Sequence, residues 1–153
     1  TFQWFIDPAS TVDTLTRYVH PGGIVAFSTF GPDTFRELRA AFAAAETELG
    51  LPHTPRTLHF PDPSDWVRWF ASAGAALRVE ERRVIVTHAT PLDFLKSIKK
   101  VGANLVRPSN AREHFAKQLF QAMSAAYIQQ TGTPEGVPVT YHIYYGIATV
   151  NKR

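Results

Sequence analysis

Between Thr16 and Gly31 the chain reads TRYVHPGGIVAFSTFG, and this stretch constrains the fold more than any other. Pro21-Gly22-Gly23 ends a helix, since proline cannot extend it and glycine accepts the left-handed backbone of a helix stop. Ile24 to Phe30 follows, with apolar and β-branched residues on both faces. A short strand of that kind belongs inside a sheet with helices above and below. Gly31-Pro32 then breaks it. Helix, glycine turn and two-sided strand in succession predict an α/β fold.

The neighbouring segments agree. Phe2 to Ile6 is a short apolar run, expected as the exit of a strand. Asp7-Pro8 opens a helix, with Asp7 as N-cap and Pro8 where its missing N–H is harmless. Val12, Leu15 and Val19 give its apolar stripe. Asp33 is expected to cap the next helix, which carries Phe35, Leu38, Ala41, Phe42 and Ala45 on one side and runs to Leu49-Gly50. Residues 51–61 hold three prolines and two histidines and read as a loop. Asp62-Pro63 starts a helix that ends at Gly74, with Trp66, Trp69 and Phe70 as core bulk. Leu77 to His88 is extended, and its apolar alternation changes phase between Leu77/Val79 and Val84/Val86, which predicts a bulge or kink.

Thr90-Pro91 begins another helix, with Phe94, Leu95, Ile98 and Val101 on one face and Lys96, Lys99 and Lys100 roughly opposite. Ser109 is expected to cap a long helix reaching Gln129. Val139 to Val150 is a long strand, apolar on both faces and therefore central. The order is strand, helix, strand, helix, helix, strand, two helices, strand. The domain reading is a partial α/β core over 1–89, a helical insertion over 90–130 and a closing strand over 131–153.

Composition bounds the function. The 153 residues suffice for one domain, and 44% hydrophobic residues suffice for a sizeable core. No run of about 18 apolar residues predicts a membrane span. The first residues show no basic, cleavable leader, and the missing initiator methionine suits a fragment. The absence of cysteine removes disulfides, thiolate catalysis and cysteine metal sites, and fits a cytoplasmic protein. Residues 1–90 carry net −2 and residues 91–153 net +5, so the basic excess lies in the C-terminal part and hints at an acidic partner. The six histidines show no metal-ligand spacing, and neither a Gly-x-Ser-x-Gly elbow nor a P-loop occurs.

QWFIDPASTVDTLTRYVHPGGIVAFSTFGPDTFREL, from Gln3 to Leu38, resembles the second half of a class I S-adenosylmethionine (SAM) methyltransferase. FLKSIKKVGAN (Phe94 to Asn104) and VPVTYHIYYGIA (Val137 to Ala148) are similar to two blocks of the malonyl-acyl-carrier-protein O-methyltransferases of biotin biosynthesis, the BioC family. The resemblance runs from Phe2 to about Val150. It implies the C-terminal part of a Rossmann-like sheet with a helical insertion before the last strand, SAM as cofactor and an acyl-carrier protein as partner. The Gly-x-Gly loop and the acidic ribose-binding residue that the family carries before this region are absent from these 153 residues, so SAM would be bound mainly elsewhere in a longer chain. The insertion would act as a substrate lid.

The resemblance also assigns residues. Gln3 and Trp4, following the first strand, would lie beside the transferred methyl. Thr29 and Phe30 end the second strand, at the sheet edge where α/β proteins gather ligands, and suit a pocket wall. Lys96, Lys99 and Lys100 would dock the acidic carrier protein. Arg107 and Arg112 would hold a phosphopantetheine phosphate or the malonyl carboxylate, tasks that suit the arginine fork. Tyr141 and His142 lie where the family's closing block centres. A solvated lysine face, surface arginines and packed aromatics are the structural alternatives for these residues. A methyltransferase for another small acid, a non-methylating paralogue or assembly factor, and a basic nucleic-acid module are the functional ones. The last lacks any recognition motif. An unpaired edge at the strand ending Phe5-Ile6 would make the isolated chain dimerise or aggregate.

Overall fold

A computed structural model of the chain describes residues 5–55, 57–100 and 113–151. The elements are α1 (Pro8–Arg17), β1 (Ile24–Phe30), α2 (Arg36–Glu48), α3 (Pro63–Ser72), β2 (Ala75–His88), α4 (Pro91–Lys100), α5 (Glu113–Thr131) and β3 (Val137–Val150). From α1 onward they form the α/β succession read from the sequence. The expected strand over Phe2 to Ile6 lies partly outside the described residues, and Phe5 and Ile6 precede α1 outside any strand. Ser109, the expected cap of α5, also lies outside them.

The strands make one sheet in the order β1-β3-β2, with β1 antiparallel to β3 and Ile24 opposite Thr149 through Phe30 opposite Ile143. The last strand is thus central, as its two apolar faces predicted. Chain reversal before β1 depends on glycine. Gly22 has φ +83°, and a Cβ on Gly23 would lie 2.5 Å from Val19 Cγ1. The turn docks on the end of β3, with Gly22 N–H donating to Val150 O at 2.7 Å and Val150 N–H to Gly23 O at 3.0 Å.

The chain divides into two compact units. One comprises Thr1–Thr34, Phe60–Val84 and Tyr141–Arg153; the other comprises Phe35–His59 and Ile85–Thr140. In the first, α1 and α3 pack together, and Val12, Trp66 and Phe70 join Tyr144, Ala148 and Val150 in a buried cluster against Val25 and Phe27. Phe27 stacks on Phe70 with ring centroids 5.4 Å apart. Both helices therefore cover the same face of β1. The other face is open among the described residues: Ile24 is 62% exposed and Ile147 53%. The two-sided burial expected of β1 inside a sheet is corrected: among the described residues α1 and α3 cover one face only, and β1 is the edge of the sheet. In β2 the half-buried positions shift from Leu77 and Val79 to Val84 and His88; the phase changes as expected, but Val86, expected beside Val84, is exposed.

In the second unit α5 packs on α2 and α4. Leu38, Ala41, Phe94, Ile98, Met123, Tyr127, Val137 and Val139 fill its interior. Helix starts follow local chemistry. Asp7 accepts from Ser10 N–H at 3.1 Å, Asp62 and Asp65 form a capping box, and Thr90 Oγ1 accepts from Asp93 N–H at 3.1 Å. Asp33 does not cap α2, contrary to expectation. The cap position falls to Phe35, whose left-handed backbone (φ 61°) turns the chain into the helix. Such a conformation in a bulky residue costs on the order of 1–3 kcal/mol and requires surrounding support. Phe35 has that support: its N–H donates to Thr140 O at 2.8 Å and its ring meets Phe94 edge-on.

Phe70→Ala removes a fully buried ring and its stack on Phe27. We expect it to lower unfolding stability by about 3–5 kcal/mol, read from urea denaturation.

Candidate functional site

The carboxyl end of β1 runs into the loop Gly31–Thr34, and in the same unit β3 supplies the groups that hold this loop. Gly31 N–H donates to His142 O at 2.8 Å. The Thr34 hydroxyl donates to His142 O and accepts from His142 N–H, both at 3.0 Å. Asp33 N–H reaches His142 Nδ1 at 3.4 Å, and His142 Nε2 lies 3.0 Å from Glu81 Oε2. A ring nitrogen that accepts a backbone N–H carries no proton, so the proton belongs on Nε2 and points at Glu81. Arg83 closes the circuit, with Nη2 2.8 Å from Asp33 Oδ2 and Nη1 3.5 Å from Glu81 Oε1. The His142 hydrogen bond, with the nearby Arg83 charge, holds the Glu81 carboxyl below its usual range.

Around this circuit the site is aromatic. The Tyr144 ring meets His142 edge-on at 4.7 Å. Burial, reinforced by the carboxylates of Glu81, Asp62 and Asp33, pushes the Tyr144 phenol up to about 12. Gly31 is required here, since a Cβ would lie 2.7 Å from Tyr144 Cζ and 2.8 Å from His142 Nδ1. Phe30 touches Phe60 (5.6 Å) and Tyr141 (6.1 Å), and burial raises the Tyr141 phenol. Thr29, opposite Tyr144, is 3% exposed, and its hydroxyl has no hydrogen-bond partner among the described residues. A buried hydroxyl left without a partner is uncommon and marks a place where a polar group is wanted.

Of the residues singled out from the sequence, Thr29, Phe30, Tyr141 and His142 share this unit at one end of β1, on two faces of the sheet: Phe30 with Tyr141 on one, Thr29 and His142 on the other. Lys96 and Lys99 lie exposed on α4 in the other unit, with Phe94 and Ile98 buried on the opposite side of that helix. Lys96 is 4.0 Å from Asp93. The backbone of Lys100 closes α4. The Lys100 side chain and all of Gln3, Trp4, Arg107 and Arg112 lie outside the described residues.

Sequence reasoning missed two features. One is the Asp33–His142–Glu81–Arg83 circuit, which joins positions 33, 81–83 and 142. Its only sequence trace was the charged run Glu80 to Arg83 inside a strand. The other is Glu37, buried in the second unit, which accepts from Thr140 N–H at 3.0 Å and from the Thr140 hydroxyl. Burial pushes the Glu37 carboxyl up. The hydrogen bonds from Thr140, its own N–H and Arg36 outweigh that push and hold it below its ordinary value. Among the described residues no group of histidine and carboxylate side chains could hold a metal ion. Nor is any described helix long and apolar enough to cross a membrane. The arrangement can bind, orient and exclude water.

No protein-family model matches the chain. It is 35% identical over 144 residues to the malonyl-[acyl-carrier protein] O-methyltransferase of Halalkalibacterium halodurans, covering 94% of this chain and 52% of that protein. The enzyme of the same name from Brevibacillus brevis is 35% identical over 154 residues, covering 99% and 54%, and that of Porphyromonas gingivalis is 30% identical over 148 residues, covering 96% and 52%. The chain spans about half the length of the curated relatives it matches. Among solved structures it is similar to the YcgJ protein from Bacillus subtilis, with a TM-score of 0.51 at 13% identity, over 97% of this chain and 60% of that one. This likeness shows the α/β fold.

A carboxylate held below its unfolded value adds stability that is present above the ordinary carboxylate range and lost as pH falls through the lower folded value. Glu37 is of this kind. We expect Thr140→Val to destabilise the chain at pH 7 by about 1–3 kcal/mol and to flatten the acid limb of a stability-against-pH curve measured by chemical denaturation.

Proposed function

We propose that this chain is the C-terminal half of a methyltransferase that esterifies the free carboxylate of malonyl-acyl-carrier protein. The observation that carries the reading is identity of 30–35% to enzymes of that name, sustained over more than nine-tenths of this chain. The chemistry asks for no group the site lacks. A malonyl carboxylate, with a pKa of about 4, is already an ionised nucleophile at pH 7 and needs no general base. What the protein must supply is alignment of the reacting atoms and exclusion of water. An aromatic wall of Phe30, Phe60 and Tyr141 on one face of the sheet suits that work, and the unsatisfied Thr29 hydroxyl lies on the other face with His142 and Tyr144.

SAM, the cofactor this reading needs, supplies an electrophilic methyl group. The described residues do not by themselves fit it. The loop after β1 spends its N–H groups internally: Gly31 on His142 O, Asp33 on His142 Nδ1 and Thr34 on Gly31 O, while Pro32 has none. No backbone nest is left for the cofactor's carboxylate, and the Thr29 hydroxyl alone is too little. The reading therefore assigns the cofactor mainly to the half of the relatives that this chain does not match, with Gln3 and Trp4 reaching it from this side.

In the same reading, residues 90–130 form the insertion that recognises the carrier. Lys96, Lys99 and Lys100 present positive charge to an acidic protein surface, and Arg107 and Arg112 hold the phosphopantetheine phosphate or the malonyl carboxylate. The reaction is cytoplasmic. On its own the 153-residue chain associates through the edge of its sheet, which among the described residues is β1 and not the expected strand ending Phe5-Ile6. Sedimentation at rising concentration should show dimers or larger species, and a clean monomer would contradict this.

The deciding experiment incubates the full-length gene product with SAM and malonyl-carrier protein and looks for the methyl ester by mass spectrometry. Methylation of a different free acid instead would retain the fold and overturn the substrate. In that assay Lys96→Glu with Lys99→Glu should raise KM for the carrier-bound substrate about tenfold, through lost electrostatic steering. The loss should shrink as added salt screens the wild type.

A further inference from the structure

We propose that His142 is a positioning residue: its imidazole pins the loop at the carboxyl end of β1 and thereby sets where the Thr29 hydroxyl, on the same face of the sheet, meets the acyl substrate. The inference rests on the methyltransferase reading above for the identity of that substrate, and on the geometry of one unit for everything else.

His142 is 2% exposed. An imidazole so deeply placed is costly unless both ring nitrogens are bonded, and a leucine would fill the space without that requirement. Here both nitrogens are used, and their partners belong to different elements. Nδ1 takes the Asp33 N–H of the loop, and Nε2 faces Glu81 of β2. Arg83, also on β2, grips the Asp33 and Glu81 carboxylates together. The result is a closed circuit from loop to β3 to β2 and back to loop. Its other three side chains are more than a third exposed, so the imidazole is the buried pivot.

The rest of the loop depends on the same residue. The backbone of His142 anchors Gly31 and Thr34. Tyr144 and the imidazole together leave no room for a Cβ at Gly31. Two residues before Gly31, on the same side of the strand, lies Thr29 with its buried, unpartnered hydroxyl. Ligands of α/β sheets gather at the carboxyl ends of strands. A loop locked at that end, next to a polar atom with nothing to bond, is the arrangement expected where a substrate group must be met in one orientation.

The two nitrogens can be separated by substitution in the full-length polypeptide. His142→Asn places an amide oxygen near Nδ1 and keeps the acceptor for Asp33 N–H, losing Glu81. His142→Gln reaches toward Glu81 and loses the acceptor. Amide hydrogen exchange over residues 31–34, which needs no activity, is read first. The expected result is exchange at Asp33 about tenfold faster in H142Q and within about threefold of wild type in H142N. The KM for malonyl-carrier protein should rise in H142Q and recover in H142N, with SAM affinity unchanged in both. Should the histidine variants fail to fold, Glu81→Ala, at a half-exposed side chain, leaves the imidazole in place but unaligned and should speed the same exchange about threefold. Unchanged Asp33 exchange in H142Q and in E81A overturns the proposal, as does an equal response of H142N and H142Q. If the wild type does not methylate malonyl-carrier protein, the substrate reading fails, while the exchange result still decides whether His142 pins the loop.

Discussion

The antiparallel register of β1 on β3 is the constraint on which the rest of the described structure depends. Placing Phe30 opposite Ile143 brings His142 level with the first residue beyond β1. From there its carbonyl, amide and ring reach Gly31, Asp33 and Thr34. A slip of one residue would turn His142 and Tyr144 to the open face and leave the loop with no partners. The Pro-Gly-Gly turn guards against the slip from the other end, because Gly22 and Gly23 bond to Val150. The register is thus held at both ends of β1.

A second constraint operates where α2 begins. Phe35 takes a backbone conformation that a phenylalanine adopts only under support. Its N–H is bonded to the Thr140 carbonyl, and the Thr140 amide and hydroxyl in turn satisfy Glu37. Thr140 lies two residues from His142, and both are buried threads of β3. Consecutive stretches of one central strand therefore settle a helix start in one unit and a loop in the other. This explains why polar residues occupy positions that an apolar strand would otherwise give to valine or isoleucine.

How much of this the sequence disclosed varies with range. Helix starts at Asp7, Asp62 and Thr90 were legible because a cap acts within three or four residues of itself. The central place of β3 was legible from its two apolar faces. Asp33 misled, since an aspartate before a helical pattern reads as a cap. In the fold its carboxylate is drawn to Arg83, fifty residues away, and Phe35 takes the cap position. The open face of β1 was not legible either, because an apolar residue records only that a cover is wanted and not whether the described chain supplies it. Within the candidate site, Thr29, Phe30, Tyr141 and His142 were chosen from strand ends and from a resemblance. Glu81 and Arg83 were seen only as a change of phase.

The sequence by itself determined the order of helices and strands from α1 onward, the helix starts at Asp7, Asp62 and Thr90, the Pro-Gly-Gly turn, and the chemistry left out by the absence of cysteine. All of these depend on local backbone preference and on residue type. Only the tertiary structure decided which face of β1 is covered, that Glu37 is buried and bonded to Thr140, and that Asp33, Glu81, Arg83 and His142 close one circuit. The physical reason is that hydrogen bonds and ion pairs between strands depend on register and on the side of the sheet. Those are properties of the pairing of distant segments, which no single segment carries.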